Sequence, residues 1–363
     1  MHITKIEIKN FRTYKQLSMS PSKGLNLLLG KNGAGKTNVL ESIYFACLMR
    51  TPRTNNVVEV IRFNCDYTMV TLEVQHRLTT HEIKILFDRE KAKKVLIDGE
   101  PAKGQSEVLQ KVGIVYFCPE DLRLVQDGAQ RRRKFLDIGM AMANLVSHEV
   151  KKNYNGAIIQ KNQILKQYKN LTGEEYDAWD VEIARFAWKI MQERENYIAR
   201  ISKIAREKYR EISQTEENLA LTYMPSYGDV KSAKDIHNII VKDRPKEIER
   251  GNVIRGIHRD DILITINGED ARKYASQGQQ RSIVLALKLS ELEVYKEAKG
   301  ESAILLLDDV LSELDDTRKK ALVKIINNQQ TFVSATEYLH EFEGYKYEVT
   351  RNQTESFVTK VEK

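Results

Sequence analysis

Leu25-Asn26-Leu27-Leu28-Leu29 is the first solid apolar run of the chain, and it follows an N-terminal stretch in which charged and apolar positions interleave. The pattern predicts strands over the first 30 residues, the last of them buried and ending at Gly30. From about Lys36 the spacing changes to helical steps, with Val39, Leu40, Ile43, Tyr44 and Cys47 forming one stripe. Short β runs at 69–74, 83–87 and 95–98, with Asp98-Gly99 as a turn signal, predict a small antiparallel sheet. Between about 130 and 213 the chain turns to long polar helices without proline. Trp179, Ile183, Phe186, Ile190, Tyr197, Ile201, Ile204 and Ile212 mark one helical face over about nine turns. Ordinary core against a partner helix of the same lobe explains that stripe, and no coiled-coil dimer is required. Residues 227–250, polar and containing Gly228 and Pro245, predict a connector. A run at 262–266, a helix from about 279 to 296 and strands at 303–307 and 331–334 then alternate as a parallel α/β sheet does. The division expected is 1–125, a nucleotide-binding lobe with the β subdomain; 126–250, a helical lobe; and 251–363, the rest of the nucleotide-binding lobe.

Composition narrows the setting. A chain of 363 residues suits two or three lobes that each bury a core. No apolar run approaches the ~20 residues of a membrane span, and the N-terminus lacks a basic region followed by an apolar core, so a cytoplasmic location is expected. Cys47, Cys65 and Cys118 lie far apart without CxxC or Cys/His metal spacing and read as reduced side chains. The net charge of +7 is concentrated: residues 122–170 hold ten Lys/Arg against three acids, so the other residues balance.

The chemistry begins at Gly30-Lys31-Asn32-Gly33-Ala34-Gly35-Lys36-Thr37, which fits G-x-x-x-x-G-K-[ST] between a predicted strand and a predicted helix. Glycines let successive N–H groups point at phosphate oxygens, and the helix start adds its positive dipole end. Lys36 is expected to reach the β- and γ-phosphates of ATP or GTP, and the Thr37 hydroxyl to ligate Mg²⁺. Far downstream, the strand Ala303-Ile304-Leu305-Leu306-Leu307 ends in Asp308-Asp309. Asp308 is expected at the Mg²⁺ ion, and Asp309 where water is oriented or deprotonated. Ser276-Gln277-Gly278-Gln279-Gln280 opens a helix and offers a hydroxyl, a close backbone approach and a dipole end, a second anion site. Since one chain needs only one such cap, Ser276, Gly278 and Gln279 are expected to cover ATP held by another copy. Ser312-Glu313-Leu314-Asp315 would lie at the same interface.

These motifs in this order resemble the ABC ATPases, specifically their SMC-like DNA-repair branch. Glu7-Ile8-Lys9-Asn10-Phe11-Arg12, Phe117-Cys118-Pro119-Glu120-Asp121-Leu122, Arg131-Arg132-Arg133-Lys134-Phe135-Leu136-Asp137 and Gly256-Ile257-His258-Arg259-Asp260-Asp261 narrow the resemblance to the RecF family of bacterial recombination mediators. The resemblance covers nearly the whole chain. It implies an α/β fold, an ABC-type P-loop ATPase head with a small antiparallel β subdomain and a long helical insert lobe. It also implies ATP and Mg²⁺ as ligands, an ATP-dependent head-to-tail homodimer, and binding to double-stranded and gapped DNA. RecO and RecR are the implied partners, with roles in recombinational repair, replication restart and the SOS response.

The basic block supplies a candidate DNA surface: Arg131, Arg132, Arg133, Lys151, Lys152 and Lys161. The bland alternative has the three arginines starting a helix and pairing with acids of the nucleotide lobe. Two departures from the wider class bear on turnover. Asp309 stands where many ABC ATPases have Glu, so slow hydrolysis is expected, and Thr336 stands where many have His. Glu120 and Gln126 are candidates for the Mg²⁺-contacting Gln of that class, and His258 is held only as a turn residue. An ATP-driven transporter subunit is the first alternative, opposed by the charged helical insert and by Lys9-Asn10-Phe11-Arg12. A DNA clamp that binds ATP and hardly hydrolyses it is the second, opposed by the intact set Lys36, Thr37, Asp308 and Asp309.

Overall fold

A computed structural model describes residues 1–54, 56–143, 145–167, 173–326, 328–337 and 344–361. The chain divides into two compact units. The first comprises Met1–Leu122, Lys208–Thr215 and Val284–Lys363, and the second Arg123–Glu207 and Glu216–Ile283.

Strands β1 (His2–Phe11), β2 (Tyr14–Met19) and β3 (Leu25–Leu29) open the first unit, and helix α1 (Lys36–Leu48) follows. Strands β4 (Tyr67–Gln75), β5 (Thr80–Asp88), β6 (Lys93–Ile97) and β7 (Glu100–Pro101), helix α2 (Gln105–Lys111) and strand β8 (Ile114–Phe117) complete its N-terminal part. One sheet, in the order β2-β1-β4-β5-β6-β7, is antiparallel throughout. The short runs at 69–98 are therefore half of a six-stranded sheet to which the N-terminal β1 and β2 and the short β7 supply the rest.

The second unit holds helices α3 (Arg123–Gln126), α4 (Ala129–Ala143) and α5 (Leu145–Gln167), and most of α6 (Gly173–Ser213). Strand β9 (Leu219–Met224), helix α7 (Ala233–Arg250), strands β10 (Asp261–Ile266) and β11 (Glu269–Asp270) and helix α8 (Ala271–Tyr274) follow. Ile183 and Ile190 of the long stripe, with Ala184, Ala187 and Met191, pack against Val150 and Tyr154 of α5 and Ile236 and Ile240 of α7. That is core within one unit, as its 3.6-residue period allows.

Residues 227–250 are not a polar connector. Ser232 caps α7 by accepting from the Asp235 N–H at 3.2 Å, and Gly251 ends it at φ 68°. Pro245 lies inside this helix at a local cost, and its neighbours hold the turn: Arg244 pairs with Asp177 and Asp180, and Glu247 with Lys161. The second unit also runs past the expected boundary at 250. Residues 261–266 pair antiparallel with β9, Ile262 opposite Tyr223 and Ile264 opposite Leu221, and do not enter the parallel sheet.

Helix α9 (Gln277–Lys299) starts within the second unit and contributes its Val284–Lys299 part to the first, where strand β12 (Ile304–Asp308), helix α10 (Asp316–Ile326) and strands β13 (Thr331–Ala335), β14 (Tyr345–Arg351) and β15 (Ser356–Val361) follow. They form a sheet in the order β15-β14-β3-β13-β12-β8, parallel from β14 to β8, with β15 antiparallel at one edge. Every residue of β12, β13 and β8 is buried, as a covered parallel sheet requires. Helix α1 reaches both sheets: Phe45 meets Phe11 and Phe87 at 5.8 and 6.1 Å between ring centres, and Tyr44 meets Tyr116 at 5.2 Å. Among the described residues no helix is long and apolar enough to cross a membrane.

One buried carboxylate gives this unit a pH signature. Glu291 of α9 lies 3.8 Å from Lys288, which also pairs with Asp121 at 3.4 Å. Burial pushes the Glu291 carboxyl up to about 7 despite the cation beside it. The folded state therefore holds this proton more tightly than the unfolded chain, and the group's contribution to stability falls as pH rises from about 4.5 to about 7. Glu291→Gln is expected to flatten that slope and to gain on the wild type above pH 7, as read by urea unfolding across pH 4.5–8. An unchanged slope would show that Glu291 ionises at its ordinary value.

Candidate nucleotide site

Strand β3 ends under a loop in which two glycines, Gly30 and Gly35, are sterically required. A Cβ on Gly30 would stand 2.2 Å from the Val349 carbonyl oxygen of β14. Gly35, at φ 116°, is the residue before α1, and a Cβ there would meet the Ser356 hydroxyl at 2.6 Å. No side chain caps α1 and no acid sits in its first turn, so its positive end faces the loop. Lys36 is buried and donates to the carbonyls of Gly30 at 2.7 Å and Lys31 at 3.1 Å. Burial lowers its pKa, against the pull of Asp309 and Asp308.

The acidic strand end lies beside this loop because β12 is separated from β3 only by β13. Thr37 Oγ1 donates to Asp308 Oδ1 at 2.9 Å. Ser334 of β13 donates to the same oxygen at 2.7 Å, and Tyr116 of β8 donates to Oδ2 at 2.8 Å. Burial raises the Asp308 pKa, the three hydrogen bonds oppose that rise, and Asp309 adds to it. Asp309 adopts φ 52°, and its N–H donates to Ser334 Oγ at 2.9 Å, so one hydroxyl orients both aspartates. A hydroxyl and a carboxylate at 2.9 Å beneath a glycine loop suit a hard cation such as Mg²⁺, which takes few protein oxygens and shares the rest with phosphate and water. Tyr116 and Ser334 escape sequence reasoning. The only signal was a polar atom within each of two apolar runs.

A cavity of about 730 Å³ opens from this loop, bounded at one end by Asn32, Gly33, Lys36, Thr37 and Asp309. Arg12 lines it at φ 49°, held by Glu41 of α1 through bonds of 3.0 and 2.7 Å; Glu41 is fully buried and also accepts from Thr51.

The other predicted residues fall as follows. In the second unit Ser276 caps α9: its hydroxyl accepts from the Gln279 N–H at 3.2 Å, and Gln279 Oε1 accepts from the Ser276 N–H at 2.7 Å, a reciprocal capping box. Gln279 also donates to Glu217 at 2.7 Å, and Gly278 is half-buried. Gln126 meets this motif, donating to Gln280 Oε1 at 2.8 Å, whereas Glu120 is exposed on a short 3₁₀ turn. Thr336 is exposed just past β13. His258 is exposed on a 3₁₀ turn, its pKa lowered by desolvation and by Arg259 and Arg133. Asp315 accepts from the Arg318 N–H at 2.9 Å, while the side chains of Ser312 and Glu313 lie outside the described residues.

The basic block needs correction. Lys161 is 1% exposed, bridging Asp180 and Glu247 at 2.6 Å each, and does not present its charge to a duplex. Arg132 is likewise buried, pairing with Asp261 and donating to the Leu124 and Asp127 carbonyls. Arg133 is half-buried and donates to the Asp260 carbonyl, and Lys151 pairs with Asp137. Arg131 pairs at the surface with Asp127, and Lys152 is exposed. The arginine partners belong to the helical unit itself, not to the nucleotide lobe. Lys169 of the same block lies outside the described residues.

Residues 2–346 match the family described as RecF/RecN/SMC N terminal domain. The DNA replication and repair protein RecF of Halothermothrix orenii is 38% identical over 353 residues, 94% of this chain and 93% of that protein. Its counterpart in Staphylococcus aureus is 35% identical over 364 residues, 97% and 96% of the two chains. A solved structure of the recombination mediator protein RecF-ATP in the RecFOR pathway is 31% identical, with a TM-score of 0.91 over 99% of this chain and 98% of that one. An Smc head bound to the C-winged helix domain of ScpA is 14% identical at a TM-score of 0.59, a likeness of fold alone.

Proposed function

The chain belongs to the RecF family of DNA replication and repair proteins, and from that premise we propose that it is an ATP-dependent DNA-binding protein of recombinational repair and replication restart. ATP binding closes a head-to-tail homodimer on duplex DNA near gaps. Slow, DNA-stimulated hydrolysis releases it, and RecO and RecR act with it in loading the recombinase in the cytoplasm.

The observation that carries the reading is the Thr37–Asp308 pair, 2.9 Å apart beneath the glycine loop and backed by Ser334 and Tyr116. Thr37 and Asp308 would hold Mg²⁺, which when bound neutralises charge on the terminal phosphates. Lys36 adds positive charge there, and the N–H groups of residues 30–37 surround the phosphate oxygens. Asp309 orients water or takes its proton; one methylene shorter than Glu, it reaches less far, which supports slow turnover. Ser276, Gly278 and Gln279 cap the ATP of a second copy, and the exposure of Ser276 supports that role. Of the six candidate side chains, Lys152 is exposed and Arg131 partly so, and these two remain as candidate duplex contacts.

The test is the ATPase rate per molecule against protein concentration, with and without duplex DNA. The rate is expected to rise with both. A flat rate, indifferent to DNA, would place hydrolysis within one chain and remove Ser276 and Gly278 from the site.

A further inference from the structure

The cavity beside the glycine loop has further lining residues that the phosphate chemistry does not use. Val58, Ile61, Phe63 and Arg89 line it, all within the first unit. Phe63 is 84% exposed while lining the cavity. Its exposure does not come from a loose loop. Arg62 to Cys65 form a tight turn closed by the Cys65 N–H donating to the Arg62 carbonyl at 3.1 Å, with Asn64 at φ 60°. Arg62 is held on one side: its N–H donates to the Asn10 carbonyl at 2.8 Å, and its guanidinium donates to the carbonyls of Thr13 at 2.6 Å and Thr354 at 2.8 Å. Arg89 holds the other side, donating through Nε to the Cys65 carbonyl at 2.7 Å. The turn is thus pinned at both feet while its apex ring stands in water at the rim of the cavity.

We propose that Phe63 is the base-binding residue of this site, stacking on the nucleobase whose phosphates lie at the Lys36 end, with Val58 and Ile61 as the apolar wall. The proposal rests on the reading of the loop as a nucleotide site and deepens it. A planar, π-faced base is the one part of a nucleotide that recovers the exposed area of Phe63, and the sugar and phosphates do not. Stacking accepts any base, so Phe63 contributes affinity for ATP and GTP alike, without choosing between them.

The experiment is calorimetric titration of the full chain with ATP, GTP and inorganic tripolyphosphate, for the wild type, Phe63→Ala and Phe63→Trp. Phe63→Ala is expected to weaken ATP and GTP about tenfold or more, the size of one lost stacking contact, and to leave tripolyphosphate unchanged. Phe63→Trp is expected to restore affinity and to show fluorescence quenching by ATP that tripolyphosphate does not cause. Wild-type ATP affinity in Phe63→Ala, or an equal loss for ATP and tripolyphosphate, would overturn the assignment. A wild type that binds neither ATP nor tripolyphosphate would instead overturn the nucleotide site on which it rests.

Discussion

Lys36→Met is expected to lower ATP hydrolysis about 10²–10³-fold, the usual consequence of deleting one preorganised charge donor at a site of developing negative charge. The structure explains why no neighbour would compensate. The Lys36 ammonium is buried, anchored by two carbonyls of its own loop, and sits in the field of Asp308 and Asp309. Among the other cations that line the cavity, Arg12 is committed to Glu41 by two hydrogen bonds and Arg351 donates to the Gly33 carbonyl at 3.3 Å. Methionine keeps most of the volume and removes the charge, so the apo fold is expected to survive, with the Asp308 carboxyl pushed further up. Single-turnover hydrolysis at saturating ATP, with unfolding of the apo protein as control, checks both halves. Turnover within a few-fold of the wild type would take Lys36 out of the reaction.

The second large effect concerns the helical unit. Arg194 is 1% exposed and reaches three partners: Asp260 Oδ2 at 2.6 Å, the Ile257 carbonyl at 2.8 Å and Asp137 at 3.1 Å. Asp260, itself 1% exposed, also accepts from Tyr223 and from the Ser226 N–H at 2.8 Å. Arg194→Ala leaves this carboxylate buried without its counter-charge, a change that costs about 3–5 kcal/mol. Trp179 and Trp188, the chain's two tryptophans, both lie on α6, so fluorescence-monitored urea unfolding reads this unit selectively. The transition midpoint is expected to fall with its slope unchanged. Arg194→Lys recovers only part, because an ammonium has no planar fork to span three partners. An unfolding free energy within about 1 kcal/mol of wild type for Arg194→Ala would mean that Asp260 does not depend on this cation.

How much was legible follows from how local each feature is. The strand–loop–helix at 25–48 and the acid-ended strand at 304–308 could be read directly, because contiguous spacing and residue type specify them. Ser334 and Tyr116 could not: each is one polar side chain in an apolar strand, and only the order β13-β12-β8 gives it Asp308 as a partner. The basic block misled for the same reason. A count of charges along 122–170 is blind to Asp180 and Glu247 closing on Lys161, or to Asp261 closing on Arg132. In α7 the charges and Pro245 hid a helix that its Ser232 cap and the buried Ile236 and Ile240 define.

The steric fit of Gly30 beneath Val349 and of Gly35 against Ser356 bears on how the protein folds. The loop at 30–37 meets residues far along the chain: Asp308 at Thr37, Val349 at Gly30 and Ser356 at Gly35. Such distant pairing also makes this sheet slow to close. Without β14 and β15 the phosphate-loop sequence would remain, while the Val349 and Ser356 contacts against Gly30 and Gly35 would be lost.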